Sequence, residues 1–228
     1  MNETKFFIND GGKTVEKIIP IEKAAELYKN NLTDTYPPWF YKNSTKCKDW
    51  QIGIGKTIGE MYNIESVVDF GCGLGYYLEG FQMSGAKIKG YEISYDNAKD
   101  YMSKSVLPYV EKGNVMEKIK CEPFHLSMSI EVAEHILPDK SSFFVDNLAR
   151  ASKQYVLLTA APPGQGGVCH INEQNMSYWI KLMDEKGFEF SECDTEKIRH
   201  RLSSLPYNGK YYSIIKKHMS LFRRKNDT

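Results

Sequence analysis

Glu131, Glu134 and His135 fall within five residues in the stretch SIEVAEHI (129–136), among apolar neighbours. If that stretch is helical, a rotation of ~100° per residue places the three side chains within about 100° of arc. Two carboxylates and an imidazole on one face are workable ligands for a divalent cation. The oxygens suit Mg²⁺ or Mn²⁺, and the imidazole tilts the choice toward Mn²⁺, Fe²⁺ or Zn²⁺. Three ligands leave a coordination position open, as a substrate oxygen requires. The competing reading is structural: Glu134 and His135 would then hydrogen-bond the core or cap the end of a sheet.

A second cluster lies upstream, in VVDFGCGLG (67–75), with Asp69, Gly71, Gly73 and Gly75. Glycines let the backbone turn sharply and approach a ligand closely, and a helix that follows them presents its N-terminal amides. The dinucleotide fingerprint G-x-G-x-x-G fails, because Tyr76 or Leu78 stands at the third glycine position. Seventeen residues after Gly75, Glu92 ends KGYEIS; a carboxylate there can accept from both hydroxyls of a ribose.

These residues need elements to hold them. SVVDF (66–70), KIKGYEI (87–93), FHLSMSI (124–130) and QYVLLTA (154–160) read as strands, with a weaker one over 109–115 and a last one at HMSLFRR (218–224). Helices are expected at 21–30, 50–62, 76–83, 139–151 and 175–188, and from Ser94 to a stop before Pro108. VAEHI turns into a helix or a loop. The alternation implies an α/β fold: a Rossmann-like, seven-stranded, mostly parallel sheet with helices on both faces and an antiparallel last strand. Ligands bind beyond the carboxyl ends of such strands. The acid–glycine loop, Glu92, the 131–135 cluster and the loop 161–174 all fall there. Residues 1–45 read as an accessory N-terminal lid segment, and 46–228 as the catalytic domain.

The pattern D-x-G-x-G-x-G resembles the first motif of class I S-adenosylmethionine (SAM)-dependent methyltransferases. The resemblance covers roughly 45–190. It implies that Asp69, Gly71, Gly73, Gly75, Glu92, Asn114 and Ile130 bind SAM. The family's adenine-contacting acid is replaced here by Asn114, in GNV. E-V-x-E-H is similar to the motif of ubiquinone-pathway O-methyltransferases and of small-RNA 2′-O-methyltransferases. The tract GGVCHINEQ resembles the G-x-G-H-x-N-E-Q loop of uncharacterised bacterial and viral methyltransferases. By that resemblance Glu131, Glu134, His135 and His170 hold Mg²⁺ or Mn²⁺, and His135 or His170, when not ligated, serves as a general base. Asn172, Glu173 and Gln174 bind substrate, or merely cap the helix that follows.

The expected reaction is methyl transfer to a hydroxyl, first of a sugar or glycan. A phenol or quinone precursor is the second acceptor and an RNA 3′-terminal 2′-hydroxyl the third. An inactive SAM-binding partner subunit is the non-enzyme alternative. Tyr36, Trp39, Phe40 and Tyr41 are expected to cover the acceptor pocket. The net charge of +1 disfavours a long nucleic acid, which wants a Lys/Arg groove. No run approaches the ~18 apolar residues of a membrane span. Five dispersed cysteines without a CxxC pair read as reduced thiols, and hence a cytoplasmic protein.

Overall fold

The computed structural model describes residues 3–10, 13–30 and 36–225. An antiparallel hairpin, β1 (Glu3–Asp10) and β2 (Lys13–Pro20), precedes α1 (Ile21–Asn30) and α2 (Pro38–Ser44). The remaining elements are α3 (Lys48–Met61), β3 (Ser66–Phe70), α4 (Tyr76–Met83), β4 (Lys87–Glu92), α5 (Tyr95–Ala98), β5 (Val110–Lys112), β6 (Phe124–Ser129), α6 (Ser141–Arg150), β7 (Ser152–Leu158), α7 (Met176–Glu185), β8 (Phe188–Phe190), α8 (Glu192–Ser203), α9 (Lys210–His218) and β9 (Ser220–Arg224). The main sheet has seven strands in the order β5-β4-β3-β6-β7-β9-β8. β5 through β7 are parallel to one another, and β9 runs antiparallel to both β7 and β8. This is the Rossmann-like architecture expected from the alternation of elements.

Both faces of the sheet are covered, so its strands carry apolar residues in consecutive positions. Val67, Leu126, Met128, Leu157 and Leu221 face one layer, with α3, α4, α8 and α9. Val68, Phe70, Val156, Leu158 and Phe222 face the other, where Phe144, Leu148, Trp179 and Met183 of α6 and α7 pack. Each such side chain stabilises the fold by roughly 1.5–3 kcal/mol when fully buried. The glycines of α3 do not break it, because they serve packing. A Cβ on Gly55 would lie 2.2 Å from the Tyr77 carbonyl oxygen, and one on Gly80 would lie 2.2 Å from that of Ile52. The α3–α4 pair therefore approaches at backbone contact.

The structure departs from the expected elements at two places and decides a third that was open between helix and loop. The helix after Ser94 stops at Ala98, followed by a 3₁₀ turn at Lys99–Tyr101; Met102 then goes extended and delivers itself and Val106 to the core. The Ser94 side chain caps nothing, while its backbone N–H binds Glu92. Residues 131–135 do not form an α-helix. Glu131 has φ +53°, a left-handed conformation that ends right-handed winding, and only Ala133–His135 closes a 3₁₀ turn. Finally, the N-terminal hairpin has no counterpart among the expected strands.

The strand order reverses about β3, which has β4 on one side and β6 on the other. The carboxyl ends of β3 and β6 thus flank the switch point where open α/β sheets bind ligands.

Candidate functional site

Asp69 lies in β3, in register with Gly90 and Met128. It is 1% exposed, and its Oδ1 has no hydrogen-bond partner. Burial, then the charge of Glu92, holds its carboxyl well above the usual carboxylate range. Gly71 and Cys72 both donate their N–H to the Tyr91 carbonyl, at 2.8 and 3.0 Å, which ties the loop across to β4. Gly73 has φ +53°, and a Cβ there would meet nothing within 4 Å, so the loop opens onto space at that point.

Glu92, at the end of β4, is buried and accepts from the Gly73 N–H at 2.8 Å, the Ser94 N–H at 3.0 Å and the Tyr41 hydroxyl at 3.1 Å. Burial raises its carboxyl, and these donors oppose the rise. Asn114 is engaged locally, with its Oδ1 accepting from the Met116 N–H and its amide donating to Glu117. Ile130 is buried in the core layer shared with α3 and α4.

The second cluster does not gather all the candidate ligands. Glu134, His135 and His170 each present one ligand atom, and these atoms lie within 4.8 Å of one another. Glu134 is 1% exposed, with neither carboxylate oxygen hydrogen-bonded. Burial, then the charge of Glu131, pushes its carboxyl well up. His135 Nδ1 lies 3.0 Å from the Cys169 carbonyl and 2.9 Å from the Tyr36 hydroxyl. With Nδ1–H donating to that carbonyl, Nε2 keeps a free lone pair. Burial, helped by His170, pushes the imidazole down to about 3, so it is neutral at pH 7. His170 Nδ1 lies 2.8 Å from Glu173 Oε1, and its Nε2 lies 3.9 Å from Glu134 Oε1. A carboxylate behind the far nitrogen is how metal-ligating histidines are oriented.

Glu131 is arranged differently. Its N–H donates to Thr159 Oγ1 and its Oε1 accepts from the same hydroxyl, both at 2.8 Å; Oε2 accepts from Gln165 at 3.1 Å. The supposed substrate-binding trio is also engaged within the chain. Glu173 accepts from the N–H groups of Gly164 and Gly166, both at 2.7 Å, besides holding His170. Asn172 is buried and donates to Ser141 at 3.1 Å, and Gln174 donates to Asn172 at 3.0 Å. All three side chains are therefore hydrogen-bonded within the chain, Asn172 to the start of α6 and Glu173 to the loop.

The loop itself is pinned from the N-terminus. Cys169 N–H donates to the Lys5 carbonyl at 2.6 Å, Thr4 Oγ1 donates to that of Gly167 at 3.2 Å, and Lys5 bridges Val168. From the other side, Ile171 and Asn172 donate to the Glu134 carbonyl at 3.0 and 2.9 Å. The sequence marks Tyr36 and Tyr41 only as aromatic surface over the acceptor. It gives no sign of their hydroxyls, which reach His135 and Glu92, or of the part played by Thr159. Those contacts join distant segments and leave no local pattern.

Magnesium protoporphyrin IX methyltransferase from Synechocystis PCC 6803, solved with bound S-adenosylhomocysteine, matches 90% of this chain and 100% of its own with a TM-score of 0.59 at 14% identity. The 1,6-didemethyltoxoflavin-N1-methyltransferase of Burkholderia thailandensis matches 98% of this chain and 100% of its own, with a TM-score of 0.58 at 10% identity. A mitomycin 7-O-methyltransferase matches 90% of this chain and 67% of its own, with a TM-score of 0.53 at 12% identity. The chain shares the fold of these methyltransferases, the first two of which were solved with bound S-adenosylhomocysteine. No protein-family model and no curated protein matches its sequence. No helix among the described residues is long and apolar enough to cross a membrane.

Proposed function

We propose that the chain transfers a methyl group from SAM to a hydroxyl of a sugar or glycan, assisted by a divalent cation such as Mg²⁺ or Mn²⁺. One observation carries this reading. A glycine loop backed by a buried, unpartnered carboxylate oxygen lies one strand away from a half-buried acid–imidazole cluster, with both at the carboxyl edge of a methyltransferase-type sheet.

The residues fit SAM. Asp69 Oδ1 is an acceptor in need of a donor, as an ammonium group would supply; Gly73 leaves room beside the loop; Glu92 can accept from ribose hydroxyls. SAM, when bound, supplies a methyl already made electrophilic by a sulfonium. They also fit a cation. Glu134 offers two unpartnered oxygens, and His135 and His170 are each held through Nδ1 with Nε2 left to ligate. The cation, when bound, supplies the charge that lowers the pKa of a hydroxyl. Within this frame Glu173 orients His170, Cys169 and Tyr36 orient His135, and the N-terminal hairpin fixes the loop that carries both Cys169 and His170. The depressed basicity of His135 favours a lone-pair ligand over a proton carrier.

The test is incubation with methyl-labelled SAM and pooled sugars, phenols and short RNAs, with EDTA or Mn²⁺. Label is expected in the sugars, lost with EDTA and restored by Mn²⁺. Turnover indifferent to EDTA removes the cation from the scheme. Absence of S-adenosylhomocysteine binding by calorimetry ends the reading altogether.

A further inference from the structure

The end of the chain has a charge of its own. Residues 197–225 carry nine lysines and arginines and no acid, whereas the whole chain sums to +1, so the remainder sums to −8. The arginines of this stretch are spent on fixed partners. Arg199 donates to the Met219 carbonyl and to Glu196, Arg201 to Ser204, Arg223 to Asp194, and Arg224 to the carbonyls of Ala149 and Ser152. Lys225 pairs with Asp184. Lys210, Lys216 and Lys217, all in α9, have no ion pair among the described residues; Lys216 lies over the Tyr212 ring, 5.8 Å from its centre.

α9 stands at the carboxyl edge of the sheet. α3 ends shortly before β3 begins, so its first turns, with Trp50 and Gly53, lie toward the opposite, carboxyl edge. The Tyr212 ring meets Trp50 at 5.9 Å, and Trp50 meets Tyr77, in the first turn of α4 just after Gly75, at 6.1 Å. Gly53 leaves room for Tyr207, whose ring a Cβ would approach to 2.5 Å. At its other end α9 hands the chain to β9, whose first residue, Ser220, pairs with Leu158, the last of β7. The next residue, Thr159, holds Glu131. α9 therefore spans one rim of the candidate site. Lys210 and Lys217 are seven residues apart, which at ~100° per residue sets them on one face, opposite the buried Tyr212 and Ile215. Both lysines are exposed, as is Tyr211, at 72%.

We propose that Lys210, Lys216 and Lys217 of α9 form an anion-binding rim of the acceptor site, so that the methylated compound is a phosphate-bearing sugar whose hydroxyl enters the site while its phosphate stays at α9. The inference rests on the proposed hydroxyl methylation and narrows its substrate class. A phosphate cannot sit deeper, where it would face the carboxylates of Glu131 and Glu134; the rim is where the sign of the charge changes. Three ammonium groups match a phosphate ester, which carries roughly −1.5 to −2 at pH 7, better than a single carboxylate. Lysine meets phosphate oxygens as a point charge and needs no fixed fork. At ~1.5 Å per residue, Lys210 and Lys217 stand about 10 Å apart along the helix, room for one phosphate or a diphosphate rather than a long strand of nucleic acid. Tyr211 adds a flat exposed ring beside them, on which a sugar or a base can lie. A cationic rim on an otherwise acidic chain also draws an anion toward this edge from solution.

The experiment uses the full chain saturated with S-adenosylhomocysteine. Calorimetry at low salt is run with inorganic pyrophosphate, glucose 1-phosphate, uridine diphosphate glucose, glucuronate, methyl α-glucopyranoside and a short single-stranded RNA. Pyrophosphate and at least one phosphorylated sugar are expected to bind about tenfold or more tighter than glucuronate and the uncharged glycoside, and to weaken at ~150 mM salt. The double variant Lys210→Gln, Lys217→Gln should weaken them at least fivefold while S-adenosylhomocysteine affinity stays within twofold. Lys118→Gln with Lys120→Gln removes the same charge from exposed positions outside α9 and should change binding less than twofold. Equal loss in both double variants would mean that only net charge attracts the probes, which overturns the rim. Phosphorylated probes bound no tighter than the glycoside, or RNA bound about tenfold tighter than both phosphorylated sugars, overturns the inference and leaves methyl transfer to a hydroxyl standing. Failure of S-adenosylhomocysteine itself to bind overturns the methyltransferase reading, and the rim with it.

Discussion

The two halves of the candidate site are assembled in opposite ways. The glycine-loop half comes from one short run of chain: Asp69 and Glu92 lie on adjacent strands, and the N–H of Gly73, in the loop between them, reaches Glu92 directly. The acid–imidazole half is stitched from afar. Tyr36 meets His135 across 99 residues, and Thr4 meets Gly167 across 163. A site made by one turn of the backbone forms wherever the sheet forms. A site pinned by an N-terminal hairpin depends on that hairpin being docked. The contrast sets a division of labour: changes in the first half should act on cofactor affinity, and changes in the second on turnover.

The largest effect is expected where that division is sharpest. Glu134→Ala and His170→Ala each remove a proposed cation ligand, and turnover should fall roughly 10²–10⁴-fold. S-adenosylhomocysteine affinity, read by calorimetry, should change about twofold or less. Parallel loss of both quantities would mean that the cluster supports the fold, and the two halves would no longer be separable.

Next in size are the carboxylates of the first half. Asp69→Asn and Glu92→Gln each weaken a charged hydrogen bond to the cofactor, worth about 1.5–3 kcal/mol, or roughly 10–150-fold in dissociation constant. With SAM at saturation, turnover should largely recover. A calorimetric titration indistinguishable from wild type would place the cofactor elsewhere.

The same contrast explains what was legible in the sequence. D-x-G-x-G-x-G and the acid ending the next strand are local patterns, and their spacing alone brought Asp69, Gly73 and Glu92 to one edge of the sheet. The strands themselves were legible because burial on both faces demands apolar runs such as VLL in β7. In the second half, helical spacing failed at Glu131, since Thr159 takes its N–H and holds φ at +53°. Nothing near residue 131 encodes that hydroxyl. Nor does any local pattern say that Asn172 reaches Ser141 of α6, or that Tyr36 reaches His135; those facts depend on where separate segments dock.

A smaller effect concerns stability, and its sign runs against function. Glu134 has two buried oxygens without partners, so its charge is a cost to the metal-free fold. Its carboxyl is raised above 4.5 by burial and by Glu131, which means that the folded state holds a proton the unfolded state has released. The stabilising share of such a group is full below the unfolded value and is lost as pH rises toward the folded one. Glu134→Gln in EDTA should therefore raise Tm at pH 7, by about 2–4 °C for each kcal/mol recovered. The gain should shrink as the pH is lowered toward the unfolded value of 4.5. A Tm below wild type at neutral pH would show that the charge is already compensated.

The smallest effect probes the seam between the halves. Tyr41, in α2 of the N-terminal segment, donates to Glu92 Oε1, the same carboxylate proposed for the ribose. If the ribose hydroxyls need that oxygen, the tyrosine must yield it, and binding loses a neutral-to-charged hydrogen bond partly offset by solvation. Tyr41→Phe removes the competitor while keeping the ring beside Phe40. S-adenosylhomocysteine should then bind about threefold tighter, in keeping with the modest net worth of a hydrogen bond exchanged for another. Weaker binding would reverse the relation: Tyr41 would hold Glu92 in position for the ribose, and the N-terminal segment would be part of the cofactor half as well as of the acceptor half. The tyrosine's effect on turnover separates the cases further, because a competitor acts only on affinity, whereas a segment that also carries Tyr36 to His135 transmits its displacement to the second half.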